Sequence, residues 1–153
     1  MASITIIIGA VFFFGNDKRP KREQLGQASM TIDKKMEDFG SMKGDEERTG
    51  TFTITNTSDS VLRIWNIVTS CNCTFASIVI AGQETGTFNM TMHTSGPLKN
   101  WIGEVPAGQS AALKVTYKPK IMPVTGPVSR QVTFATNDPK NETVEVSIKA
   151  NVL

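Results

Sequence analysis

Hydrophobic and polar residues alternate along most of this chain with the two-residue period of β-strands, because successive strand side chains point to opposite faces. The last strand, predicted at residues 143–153, places Val144, Val146 and Ile148 on one face. In the strand predicted at 111–117, Leu113, Val115 and Tyr117 share a face in the same way. The other predicted strands are residues 49–55, 61–69, 75–80, 85–92 and 128–135.

The predicted strand at 61–69 presents two faces, and the face with Leu62, Ile64, Asn66 and Val68 is expected to point into the core. Turn-forming sequences separate the strands, among them NTSDS at 56–60, PAGQ at 106–109 and NDPKN at 137–141. No helical period of useful length appears after residue 16. About seven short strands with such turns predict an all-β, immunoglobulin-like antiparallel β-sandwich.

The N-terminal residues have a different pattern, since residues 4–14 (ITIIIGAVFFF) are apolar and uncharged. As a helix, residues 1–15 would span roughly 22 Å, at about 1.5 Å per residue. A bilayer core is about 30 Å thick. No Lys or Arg precedes the run and no Ala-x-Ala site follows it, as they would in a cleaved signal peptide. A buried strand is the alternative, but the charged stretch NDKRPKRE follows at once.

Three segments are therefore predicted. Residues 1–15 form a hydrophobic anchor helix or signal segment, residues 16–35 a flexible polar tether, and residues 36–153 the sandwich domain. The basic cluster KRPKR at 18–22 would lie in the cytoplasm by the positive-inside rule, which leaves the orientation open at this point.

The composition excludes several classes of function. The chain has 153 residues, 39% of them hydrophobic, which suits one globular domain. Its 16 basic and 14 acidic residues are too balanced to predict a nucleic-acid partner. A single histidine excludes an HExxH metal site, and neither a phosphate-binding GxxxxGK[ST] loop nor a GxSxG nucleophile motif is present. We therefore predict no enzyme and no small-molecule substrate.

Cys71 and Cys73 are the most informative pair of side chains. On a regular strand they would share a face with Cα atoms roughly 6.6 Å apart, at the outer limit for a disulfide, and a turn would bring them closer. Two thiolates at this spacing can instead bind a soft metal such as Cu(I) or Zn(II). A disulfide, a metal site and inert buried thiols all remain open.

Further soft ligands lie downstream, in Met90, Met92, His93 and Met122. Cysteine, methionine and histidine together favour copper over magnesium or calcium. The alternatives are that the methionines fill gaps in the core and that His93 is an exposed turn residue.

Trp101 is predicted to lie in a long inserted loop. An aromatic side chain exposed on a loop is a candidate contact for a protein partner.

Several short motifs together make the chain resemble a bacterial immunoglobulin-like family, domain of unknown function fifteen-seventy-three, which is related to the Hydin-like domains. They are DFG at 38–40, FTITNT at 52–57, SCNCT at 70–74, AGQ at 107–109, VTYKP at 115–119 and TNDP at 136–139. The resemblance covers roughly residues 36–153. It implies an N-terminal signal or anchor and a domain on the extracytoplasmic face of the cell membrane, against the charge rule.

The leading hypothesis is accordingly a membrane-tethered cell-envelope module with a structural or partner-binding role. Its edge strands could bind a protein by strand addition. The alternative hypothesis is a copper-binding or redox protein that uses Cys71, Cys73 and the Met/His segment.

Overall fold

Two five-stranded sheets make up the part of the chain that the structure, a computed structural model, describes, residues 26–153. The first sheet has the order β1-β3-β8-β5-β6 and the second the order β2-β10-β9-β4-β7. The predicted anchor at 1–15 and the first part of the predicted tether lie outside the described residues. Among the described residues, no helix is long and apolar enough to cross a membrane.

The strand bounds are as follows. They are β1 Met30–Ile32, β2 Met36–Met42, β3 Arg48–Asn56, β4 Leu62–Thr69, β5 Thr74–Ile80, β6 Gln83–Glu84, β7 Ile102–Val105, β8 Ser110–Tyr117, β9 Gly126–Thr136 and β10 Thr143–Val152. One short helix, α1, covers Gly96–Lys99, and a 3₁₀ turn covers Pro119–Ile121. All strand pairs are antiparallel except β2 with β10, which run parallel.

The core lies between the two sheets and is filled by alternate residues of the long strands. Phe52 and Ile54 of β3, Leu113 of β8 and Ile148 of β10 are all fully buried. Their neighbours in sequence point outward and, apart from Ala112, are polar, as the alternating pattern predicted. The all-β sandwich is therefore confirmed, and β3, β4, β5, β8, β9 and β10 lie where strands were predicted.

Other sequence-based predictions were wrong. Residues 85–92 do not form the predicted strand: only Phe88 pairs, through a single bridge to Ala76, and a turn follows at 91–94. Strand β7 was not predicted because it is only four residues long and carries a glycine, Gly103. The predicted end of the tether at residue 35 was also wrong, because residues 30–32 form β1 and pair with β3.

β1 is ordered because the turn before β10 binds it. The Met30 N–H donates to the Asp138 carboxylate at 2.9 Å, and the Ala28 N–H donates to the Asn137 carbonyl at 3.3 Å. Asp138 also accepts from the Asn141 amide and the Lys140 N–H. Burial by itself would raise the pKa of Asp138, but these hydrogen bonds outweigh it and lower the pKa below its usual value.

Asp138→Asn should destabilise the domain by about 1–3 kcal/mol at pH 7, because an amide cannot accept all three hydrogen bonds. The pKa is lower in the folded chain, so ionised Asp138 stabilises the fold above about pH 4, the ordinary Asp value. That contribution is lost as pH falls through the lowered folded-state pKa. Urea unfolding at pH 7 and in acid measures the free energy of unfolding of the variant and the wild type. The difference between the two proteins should be smaller in acid.

Asp59→Asn is the matched control, because Asp59 is exposed in the loop before β4. Its free energy of unfolding should stay close to that of the wild type. If the two substitutions lowered the free energy of unfolding equally, or if the loss caused by Asp138→Asn did not depend on pH, ionised Asp138 would not be what stabilises β1.

Candidate functional site

Strand β4 contains a bulge at Asn66, whose backbone has φ +53°, a left-handed conformation that non-glycine residues rarely adopt. The register of β4 against β9 shifts by one residue between Trp65 and Val68. Asn66 is consequently exposed, and Ile67 turns into the core in its place. The predicted inward face of β4 is thus correct for Leu62 and Ile64 but wrong beyond Trp65.

The bulge also marks the place where β4 loses one of its two neighbours. β7 pairs with β4 only from Leu62 to Trp65, whereas β9 pairs with it as far as Thr69. In the part of the chain that the structure describes, no strand covers the other side of residues 66–68. This uncovered side opens into a cleft of about 250 Å³ between β4 and the segment 91–100.

The cleft combines open backbone with mixed side chains. Thr69 donates its N–H to the Asn89 carbonyl on this side of β4. Since backbone groups alternate along a strand, we expect the Ile67 N–H and carbonyl to face the same side. Val68 and Leu98 supply apolar lining and Lys99 supplies a positive charge. We call this cleft, lined by residues 66–68, Thr91, Thr94, Gly96 and 98–100, the β4 cleft.

The turn that follows β4 holds the two cysteines, which form a disulfide with Cα atoms 5.2 Å apart. The turn is closed by the Thr74 N–H, which donates to the Cys71 carbonyl at 3.1 Å. The Thr69 hydroxyl donates to the same carbonyl at 3.0 Å. Of the three states left open by the sequence, the structure therefore has the disulfide.

Two side chains contact the sulfur atoms from the other strands and loops. Arg130 of β9 places its Nε 3.3 Å from the Cys73 sulfur, and its guanidinium lies 5.7 Å from the centre of the Tyr117 ring. Met122 places its sulfur 3.5 Å from that of Cys71. Cys71 also accepts the Cys73 N–H at 3.1 Å. Met122 thus lies beside the cysteines, and its predicted role as a metal ligand stays a prediction.

The predicted Met/His segment is placed differently. Met90 is half-buried and accepts the His93 N–H through its carbonyl, while Met92 is 73% exposed and His93 lies on the surface of the same turn. Because this segment is a turn and not a strand, Met90 and Met92 do not share a strand face as predicted. No cluster of three or more His, Cys, Asp or Glu suited to a metal occurs among the described residues.

Asn89 was not predicted but connects the cysteine turn to this second turn. It is buried, and its side-chain amide donates to the carbonyls of Asn72 and Thr74. Its carbonyl accepts from Thr69 and its N–H donates to the Thr94 hydroxyl. Sequence alone did not indicate Asn89 or Arg130, since their partners in the cysteine turn are distant in sequence.

Trp101 is half-buried and packs against the core. Its ring makes an edge-to-face contact with Phe88, with centroids 5.5 Å apart. A Cβ atom at Gly103 would lie 2.3 Å from the indole ring and 2.7 Å from Ile80, so the glycine makes room for the tryptophan. This packing leaves little of Trp101 for the partner contact predicted from its loop position.

The disulfide and the first described residues lie at opposite ends of the sandwich. Met30 pairs with Asn56 at one end of β3, whereas Arg48 at the other end is level with Tyr117 and Thr74, next to Cys73. Eight residue-to-residue steps along β3 separate these ends, or roughly 27 Å at about 3.4 Å per step. The cysteine turn thus points away from the N-terminal side of the domain.

Loop closure by this disulfide adds little to stability. The two cysteines are only two residues apart, and a disulfide stabilises mainly by restricting the unfolded chain, more so for longer loops. The expected contribution is about 2 kcal/mol or less, against about 3 kcal/mol for a 15-residue loop. Stabilisation of the fold by loop closure therefore does not explain why this disulfide is present.

Residues 30–102, from β1 to the first residue of β7, match the model of a family described as protein of unknown function, DUF1573. The family resemblance derived from the sequence motifs is thereby confirmed. No curated protein matches the sequence.

Solved structures share the fold at low sequence identity. A protein of unknown function from Porphyromonas gingivalis aligns with a TM-score of 0.60 and 17% identity, over 89% of this chain and 51% of its own. The seventh PapD-like domain of human CEP192 aligns with a TM-score of 0.53 and 9% identity, over 100% of this chain and 97% of its own. This chain thus spans about half the length of the Porphyromonas protein, and at such identities the likeness shows the fold alone.

Substitutions at Asn66 test whether the bulge needs its left-handed backbone. Asn66→Gly should leave the free energy of unfolding within about 0.5 kcal/mol, whereas Asn66→Val should cost about 1–2 kcal/mol, because a β-branched residue is strained at positive φ. Urea unfolding measures both.

Glu145→Val, at an exposed position near the start of β10, serves as the control for adding valine to a strand and should cost little free energy of unfolding. If Asn66→Val were as stable as the wild type, the bulge would not depend on this residue.

Proposed function

We propose that this chain, whose residues 30–102 match the DUF1573 family model, is a non-catalytic protein-binding module that receives an extended segment of a partner in the β4 cleft. The uncovered side of β4 carries the proposal, because open backbone groups at a sheet edge can pair with an added strand. The apolar lining beside Lys99 favours a segment with alternating apolar residues and an acidic residue near one end.

The opposite edge of the same sheet is protected against strand addition. β2 is kinked at Gly40, which has φ +65° and donates its N–H to the Asp38 carboxylate. The Arg48 guanidinium donates to the Phe39 carbonyl. Charged side chains and bulges of this kind are how natural sheets block pairing at an edge. The contrast between β2 and β4 supports the choice of the β4 cleft as the binding site.

The proposal extends to location. A hydrophobic segment at 1–15 would tether the module to the membrane on its extracytoplasmic face. The Cys71–Cys73 disulfide supports this location, since such bonds persist in oxidising compartments. With the chain entering at the end of the sandwich opposite the cysteine turn, a tethered module would present that turn away from the lipid surface.

Peptide selection tests the binding role directly. The domain would be used to select from a displayed library of random peptides, and the affinity of the selected peptides would be measured by fluorescence anisotropy. Lys99→Glu should weaken binding about tenfold or more, or about 1.4 kcal/mol, because it reverses the charge that faces an acidic residue of the peptide.

Lys149→Glu, an equal charge reversal on β10, should leave the affinity unchanged. Selected peptides that bind Lys99→Glu as tightly as the wild type would rule out the β4 cleft as their site.

Copper binding by the reduced pair is a second candidate function, favoured by the contact between Met122 and Cys71. In the disulfide neither sulfur is a thiolate. Reduction would provide two thiolates with a thioether beside them, a ligand set that suits Cu(I).

Titration of the reduced protein with Cu(I) against a chromophoric competitor should give about one bound ion, and the oxidised protein should bind none. Met122→Leu should lower the affinity about tenfold, a loss of about 1.4 kcal/mol. Met92→Leu, which changes an exposed methionine outside the cysteine turn, is the control and should have no effect. If the reduced wild type, Met122→Leu and Met92→Leu bound Cu(I) with equal affinity, Met122 would not be part of the site.

A further inference from the structure

We infer that the Cys71–Cys73 disulfide is a site of thiol–disulfide exchange for a protein dithiol, in which Cys71 is the sulfur attacked and Cys73 is the leaving group held by Arg130. This inference concerns the end of the sandwich that bears the cysteine turn and does not depend on peptide binding in the β4 cleft.

The two sulfur positions differ in access. Cys73 is fully buried, whereas Cys71 is 8% exposed and lies against Met122, which is itself 48% exposed in the loop after β8. Cys71 is therefore the more exposed of the two cysteines, and the side chain in contact with its sulfur lies on the surface. We expect an incoming thiolate to reach Cys71 more readily than Cys73.

The two sulfurs also differ in their electrostatic surroundings. Arg130 directs its Nε at the Cys73 sulfur from 3.3 Å, and the Tyr117 ring supports the guanidinium from 5.7 Å. A neighbouring guanidinium stabilises a thiolate. Thiol–disulfide exchange is faster when the thiol of the leaving sulfur has a lower pKa, because its thiolate is then more stable. Access and charge thus assign the same roles to the two cysteines.

The surface around Cys71 suits a protein as the thiol donor. Ile121, Met122 and Val124 are large apolar residues exposed on the loop that follows β8. Apolar side chains beside a disulfide provide contacts for the residues that flank a cysteine in a protein chain. A protein dithiol with apolar flanking residues is the expected partner.

The exchange conserves atoms and electrons. The partner's first thiolate bonds to the Cys71 sulfur as the Cys71–Cys73 bond breaks, and Cys73 departs as a thiolate beside Arg130. The partner's second thiolate then attacks the partner sulfur of the mixed disulfide and releases Cys71. The partner's dithiol is oxidised to a disulfide, and the pair in this protein is reduced and takes up the two protons.

Redox equilibration of the intact protein in glutathione buffers tests the role of Arg130. In Arg130→Met the equilibrium constant for reduction should fall at least tenfold, or about 30 mV, because the thiolate loses its positive neighbour. Arg130→Lys, which keeps the charge, should restore most of the loss. Arg63→Met, an arginine paired with Glu104 on β4, should match the wild type.

Single-cysteine variants test which sulfur is accessible. The Cys71 thiol of Cys73→Ser should react with an aromatic disulfide at least tenfold faster than the Cys73 thiol of Cys71→Ser. Circular dichroism checks that each variant is folded. If a cysteine variant does not fold, the glutathione measurements on Arg130→Met and Arg130→Lys still test the assignment. Unchanged reduction in Arg130→Met, or faster reaction at Cys73, would overturn the assignment.

Discussion

Asn66, a residue with left-handed backbone in the middle of β4, sets the pairing of β4 in the second sheet of this domain. It adds one residue to β4 opposite β9 at the point where the pairing with β7 stops, and Ile67 turns into the core. The uncovered side of β4 begins at this residue. Bulges bend strands and end pairing in this way, and they occur often beside functional sites.

Buried asparagines then hold the turns at both ends of the sandwich. Asn56 donates to the carbonyls of Ser60 and Val105 and accepts two hydrogen bonds from Ser58, so its amide is fully paired. Asn89 performs the same role at the cysteine turn. Each replaces backbone pairing that a strand would have supplied, and an unpaired amide at such a depth would be costly. The turns are therefore as well determined as the strands they join.

The sequence predicted the sandwich because alternation survives wherever one face of a strand is buried, as in β8 and β10. It failed where tertiary contacts decide the conformation. Trp101 looked like an exposed loop residue because nothing local indicates that Gly103 leaves room for its ring. An asparagine at position 66, inside an otherwise strand-forming run, was the one local signal of the bulge. The cysteine spacing indicated a site, but the approach of Arg130 depends on a strand almost sixty residues away, and only the fold brings the two together.

We propose that the side of β4 beyond Trp65 is an open edge that a partner strand can fill. Amide hydrogen exchange of the domain, measured alone and with a selected peptide, tests it most directly. The Ile67 amide should exchange rapidly in the free protein and be strongly protected when the peptide is bound, with the amides of β2 unchanged. An Ile67 amide already protected in the free protein, or protection by the peptide that appears at β2 instead, would contradict it.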